Sequence, residues 1–130
     1  MAGFEDLEVW KEAMRLAERI YIELRHSRDF GLRDQMQRAA VSIPSNIAEG
    51  YERQSNKEFI QFLHVAKGSC GELRTQLILA RNLQAVSESA AIEHIETTRK
   101  ISAMLTRLAD SRRTESGGRG AGDRRVTGSR

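Results

Sequence analysis

Four sets of residues in this chain have types and spacings that could do chemistry. Ser42, Ser45 and Asn46 surround the only proline, Pro44; Cys70 is the only thiol; Glu23 and His26 stand three apart; and Lys67, Arg74 and Arg81 recur every seventh residue, with Arg53 nearly in line before them. A hydroxyl or thiol becomes a nucleophile only beside an activating base. No histidine lies near Ser42 or Ser45 in sequence, and no strand-turn-helix pattern or glycine-rich phosphate loop surrounds them. Hydroxyls flanking a proline inside a helix have a plainer use, satisfying backbone groups that the proline frees. Cys70 falls in phase with Leu63, Ala66 and Leu73, so it reads as a small apolar filler. A di-iron bundle needs inward glutamates on two helices and a Glu-x-x-His on each of the other two. Glu23 and His26 form the one such pair, since His64 and His94 lack a carboxylate three residues earlier. The expectation is therefore no enzyme, no metal and no cofactor, with His26 at a helix end favoured by the dipole.

The basic set admits two readings. Arg53, Lys67, Arg74 and Arg81 line one edge of a helix, where they can meet phosphates through nonspecific, salt-sensitive contacts. They can equally form a solvated flank pairing with glutamates of a neighbouring helix.

Helices position all of these residues. Leu7, Trp10, Met14, Ala17, Tyr21 and Leu24 follow helical spacing, and a second stripe, Val9, Ala13, Leu16 and Ile20, runs beside it. Two stripes exceed what one antiparallel neighbour covers, so this helix is expected to contact either two helices or another subunit. The first stripe is assigned to the bundle core, and Val9, Ala13, Leu16 and Ile20 become the candidate contact with a second copy. After a turn at Ser27 to Gly31, a second helix runs from about Leu32 to Arg53, through Met36, Ile43 and Ile47 and across Pro44. One kinked helix is preferred, because the apolar phase continues across the proline; the alternative is a break with Asn46 capping a new helix and Glu49 reaching back. Ser55 and Glu58 form a capping box before the stripe Phe59, Leu63, Ala66, Cys70, Leu73, Leu77, Ala80. Gly68 and Gly71 within it suggest a close crossing or a kink. A connection at Asn82 to Ser89 leads to a fourth helix, marked by Ile95, Thr98, Ile101, Leu105 and Leu108, that ends near Ser111. Short connections imply an all-α, antiparallel up-down-up-down four-helix bundle over residues 1–111.

Charge divides the same way. The chain has 21 Lys and Arg against 18 Asp and Glu; Arg112 to Arg130 hold six Arg against Glu115 and Asp123, which leaves 15 cations against 16 carboxylates, a net −1, for residues 1–111. The calculated pI of 9.4 therefore describes the tail, and a uniformly polycationic domain is excluded. Residues 112–130, rich in Arg, Gly, Ser and Thr, are expected to be disordered. One cysteine and the absence of a leader-like or membrane-spanning run point to the cytoplasm and away from membranes.

The run Ser42-Ile43-Pro44-Ser45-Asn46-Ile47-Ala48-Glu49-Gly50, with Phe4, Leu7, Val9 and Trp10 before it and Glu58-Phe59, Leu63, Gly68-Ser69 and Glu72-Leu73 after it, resembles the bacterial four-helix-bundle family of 23S rRNA intervening-sequence proteins over roughly Phe4 to Leu108. Gln84 to Ser87 departs from the Gly-Tyr-Ile type of turn associated with that family. The resemblance implies a kinked bundle assembling as a homopentameric ring. It also implies kinship with the accessory variability determinant of diversity-generating retroelements, a basic pentamer that works with a reverse transcriptase and nucleic acid. By position, Ser42, Pro44, Asn46 and Glu49 become packing residues of the family motif, Pro44 setting the kink while Asn46 and Glu49 satisfy polar groups around it. The expected function is a noncatalytic oligomeric module binding RNA, DNA or a nucleic-acid-processing protein such as a reverse transcriptase. The competing expectation is a protein-protein assembly subunit with no nucleic-acid role.

Overall fold

A computed structural model describes residues 2–119, with side chains described through Glu115. After a 3-10 turn at Phe4–Asp6 come four helices, α1 (Glu8–Glu23), α2 (Phe30–Tyr51), α3 (Asn56–Asn82) and α4 (Glu88–Arg119), and no strand among the described residues. Three helices open on a side-chain cap: Asp29 accepts from the Leu32 N–H at 3.1 Å, Ser55 from the Glu58 N–H at 3.1 Å, and Ser87 from the Ala90 N–H at 3.2 Å. Each satisfies a first-turn donor that the helix itself leaves without a partner. α3 closes with a Schellman motif, in which the Ala85 N–H reaches the Ala80 carbonyl at 2.8 Å and the Gln84 N–H reaches that of Arg81 at 3.0 Å. Gln84 takes the left-handed position, φ 61°, which glycine occupies at least cost. This is the turn that departs from the Gly-Tyr-Ile type.

The side-chain contacts run antiparallel. Ser42 meets Ser69 between α2 and α3; Arg74 meets Thr98 and Lys67 meets Thr106 between α3 and α4; Arg19 meets Glu93 and Lys100 meets Glu12 between α1 and α4. The bundle core contains the α3 stripe in full, together with Met36, Ile43 and Ile47 of α2 and Ile101 and Leu105 of α4. No described helix is long and apolar enough to cross a membrane.

Several expectations change. The second stripe of α1 faces inward: Val9, Ala13, Leu16 and Ile20 are buried in the core, together with Ala17 and Leu24 of the first stripe, whereas Tyr21 is 48% exposed and Trp10 and Met14 are half-buried. Both stripes share one period, so spacing alone cannot say which faces inward; the rotation of α1 against α2 and α4 decides it. The four residues proposed as an oligomer contact are thus core residues. α4 does not end near Ser111, and the division at 111/112 falls inside a helix. Past that point Arg112 lies over the Phe59 ring at 5.0 Å and Asn56 donates to the Glu115 carboxylate at 3.2 Å, so contact with α3 supports the added turns. The part of the Arg/Gly-rich tail from residue 120 onward lies outside the described residues. Gly68 and Gly71 make no close crossing, since a Cβ on either would meet nothing within 4 Å. The close approach is at Gly50, where a Cβ would sit 2.5 Å from Phe62 Cβ and 3.1 Å from Phe59 Cδ1.

Candidate functional site

Pro44 removes the N–H that would bond the Ala40 carbonyl, yet α2 continues through it as one helix. Asn46 starts no new helix: its Nδ2 donates to the Ser42 carbonyl at 2.7 Å, within the same turn. Ser42 Oγ donates to the Ala39 carbonyl at 2.7 Å and pairs with Ser69 Oγ of α3 at 2.7 Å. Helix backbone and the α2–α3 seam therefore use these polar groups. Glu49 departs from its expected place near the proline, because its carboxylate is exposed and accepts from Arg53 at 3.0 Å.

The basic edge is largely engaged within the chain. Arg53 pairs with Glu49 and lies over the Phe62 ring at 4.9 Å. Lys67 Nζ donates to Thr106 Oγ1 at 2.8 Å; Arg74 donates through Nε to Thr98 Oγ1 at 2.9 Å and through Nη2 to Ser102 Oγ at 3.2 Å. The neighbouring helix supplies hydroxyls at these two positions where glutamates were expected. Hydroxyls leave the cationic charge in place but hold the side chains against α4. Arg81 is the member of the set whose side chain has no ionic or hydrogen-bond partner among the described residues.

Between α1 and α2 lies a groove of about 420 Å³, lined chiefly by Phe4, Trp10, Met14, Tyr21, Val41 and Pro44. Phe4 and Trp10 meet at a tilt of 58° with ring centroids 5.4 Å apart. The lining is mostly apolar and open to solvent. The groove contains Trp10, Met14, Ala17 and Tyr21 of the α1 stripe assigned to the core, together with the proline of the motif.

The groups singled out for chemistry are engaged otherwise. Burial pushes the Cys70 thiol up, against smaller opposing effects of a hydrogen bond to Ser102 and the Arg74 charge, and an unionised buried thiol is a poor nucleophile. Glu23 does not work with His26; its Oε1 lies 3.2 Å from Nε2 of buried His94 on α4. This pair was missed in the sequence because its members are 71 residues apart. Across the same α1–α4 seam Glu12 accepts from Arg15 at 2.9 Å and Lys100 at 3.3 Å. The Arg15 bond first, and Lys100 after it, hold the Glu12 carboxyl below its usual range despite partial burial. Among the described residues no three His, Cys, Asp or Glu side chains gather where they could hold a metal.

The fold has counterparts in known proteins. Residues 5–107 match the family model described as 23S rRNA-intervening sequence protein. The chain belongs to that family. A crystal structure of a protein of unknown function from the S23 ribosomal protein family of Bacteroides thetaiotaomicron VPI-5482 superimposes with a TM-score of 0.73 at 24% identity, covering 78% of this chain and 97% of the other. At that identity the likeness concerns the fold. No curated protein matches the chain. The family match reaches all four helices, from just before α1 to beyond the midpoint of α4.

Proposed function

We propose that this member of the 23S rRNA-intervening sequence family is a noncatalytic, cytoplasmic oligomeric module that binds nucleic acid. The observation that carries the assembly is the open groove of Trp10, Met14, Tyr21, Val41 and Pro44, an apolar surface that a single chain leaves in water. Closed by a second copy, it supports the homopentameric ring that the resemblance to retroelement accessory proteins implies, with this groove replacing the Val9 to Ile20 stripe as the contact. The family's name associates it with inserts in rRNA genes, which supports RNA or DNA as ligand and a nucleic-acid-processing protein, such as a reverse transcriptase, as partner class. A ring multiplies weak phosphate contacts by avidity.

The engagement of Arg53, Lys67 and Arg74 inside the chain favours a second reading, a protein-assembly subunit with no nucleic-acid role. Light scattering at low and high salt, with the 260 to 280 nm absorbance ratio of each peak, separates the two. A salt-resistant oligomer that sheds nucleic acid as salt rises supports the first. An oligomer that never carries nucleic acid supports the second, and a monomer at both salts removes the ring from both. Removing residues 120–130 tests the tail's share of binding without touching Arg112 or Glu115, which pack on α3.

A further inference from the structure

The helix register brings distant residues together at one end of the bundle. Ser42 opposite Ser69 and Gly50 opposite Phe62 place the start of α2, at Phe30, level with Arg81 near the end of α3. The Arg19–Glu93 and Glu23–His94 pairs place the α1–α2 turn at the same end as the α3–α4 turn. There Phe30 stands 59% exposed. Arg33 lies over its ring at 4.8 Å and is held in turn by Asp34 at 3.2 Å. The carboxylates nearby are mostly occupied: Asp29 caps α2, Asp34 holds Arg33, and Glu23 faces His94. Glu88 is the exception at this end. Arg25, Arg28 and Arg81 have no acidic partner among the described residues.

We infer that this end of the bundle is a contact site for single-stranded nucleic acid, in which a base stacks on Phe30, backed by Arg33, while Arg25, Arg28 and Arg81 meet the flanking phosphates. An exposed ring beside unpaired arginines provides both parts of a sequence-tolerant strand site, a stacking face and cations for the backbone. A base inside a duplex has both faces covered by its neighbours, so the ring selects unpaired strands. The inference rests on the nucleic-acid reading above and moves its centre from the α3 edge, where Lys67 and Arg74 are held by α4, to the turns. Arg81 is the residue common to both.

The test is fluorescence anisotropy of the full chain with a labelled single-stranded RNA of roughly a dozen nucleotides, within the range such sites cover. The same sequence as a duplex, and poly-glutamate as competitor, run beside it. Tighter binding of the single strand is expected. Phe30→Ala should weaken it about tenfold with no change in salt dependence, since the charge is unaltered, and Phe30→Trp should retain it. Arg25→Ala with Arg28→Ala should weaken binding and flatten the salt slope by about 0.7 for each phosphate no longer neutralised. Lys57→Ala, at the other end of the bundle, should leave binding as it was. Far-UV circular dichroism checks that the exposed-site variants fold. If the chain binds RNA and all turn-end variants bind as tightly, this site is wrong while the nucleic-acid reading stands. If duplex binds equally, or poly-glutamate displaces the strand at matched charge, the stacking site is overturned in favour of a general acidic partner. If the unaltered chain binds the duplex but no single strand, this site alone falls; if it binds neither, both inferences fall together.

Discussion

α2 has two long seams, and they differ in kind. Against α3 it is closed: Gly50 admits Phe62 and Phe59 to its backbone, Tyr51 meets Phe59 edge-on at 5.8 Å, and Ser42 pairs with Ser69. Against α1 it is open: Trp10, Met14, Tyr21 and Val41 flank a groove around Pro44 that no described residue fills. Both seams are apolar and both follow helical spacing. At the α3 seam Gly50 has no side chain, so Phe62 reaches the α2 backbone, whereas the α1 seam leaves a groove lined by large residues such as Trp10 and Tyr21 and small ones such as Ala17 and Ala48. A closed seam gives stability to one chain. An open apolar seam gives a surface for another.

The sharpest way to break this comparison is to place a charge on each stripe of α1. Leu16→Glu buries a carboxylate in the core and should cost about 4 kcal/mol or more, a large share of a small domain's stability, so its melt by circular dichroism should collapse. Tyr21→Glu, on the open seam, should leave the melt within about 1 kcal/mol while light scattering reports loss of the proposed oligomer. If Leu16→Glu folds and merely dissociates, the two faces have been assigned the wrong way round.

A smaller effect separates the glycines. Gly50→Ala forces its Cβ into Phe62 and should destabilise by about 1–3 kcal/mol. Gly68→Ala meets nothing and should stabilise α3 by about 0.5–1 kcal/mol. Urea midpoints of the two variants should therefore move in opposite directions.

The smallest effect concerns acid. Glu12 has its carboxyl held below the ordinary value of about 4.3 by Arg15 and Lys100. A depressed folded-state value gives stability that is present above about pH 4.3 and lost as pH falls through the lower folded value. Glu12→Gln should be less stable than the parent at neutral pH by under about 1 kcal/mol, with the gap closing in acid. Melting curves between neutral pH and about pH 3 measure it. A gap that persists in acid would assign the Glu12 contribution to packing.

Much of the fold was legible. The α3 stripe from Phe59 to Ala80 is buried in full as its spacing predicts, Ser55 caps α3 at the predicted residue, and α2 passes through Pro44 unbroken. These are local properties, since capping and periodicity act within a few residues. Less of the site could be read. Spacing found Arg53, Lys67, Arg74 and Arg81, but the Thr106, Thr98 and Ser102 hydroxyls that hold two of them lie 24–39 residues away. Spacing also could not find the Glu23–His94 pair, nor the arrival of Phe30 level with Arg81.

What the sequence determined by itself is the number of helices, their phases and most of their ends, because a 3.6-residue period and a capping side chain are written into consecutive residues. What tertiary structure alone decided is which α1 stripe faces inward, which glycine is a crossing point, how far α4 runs and which arginines stay free. Each of these depends on the rotation and register of one helix against another, and those are set by the summed packing of all four.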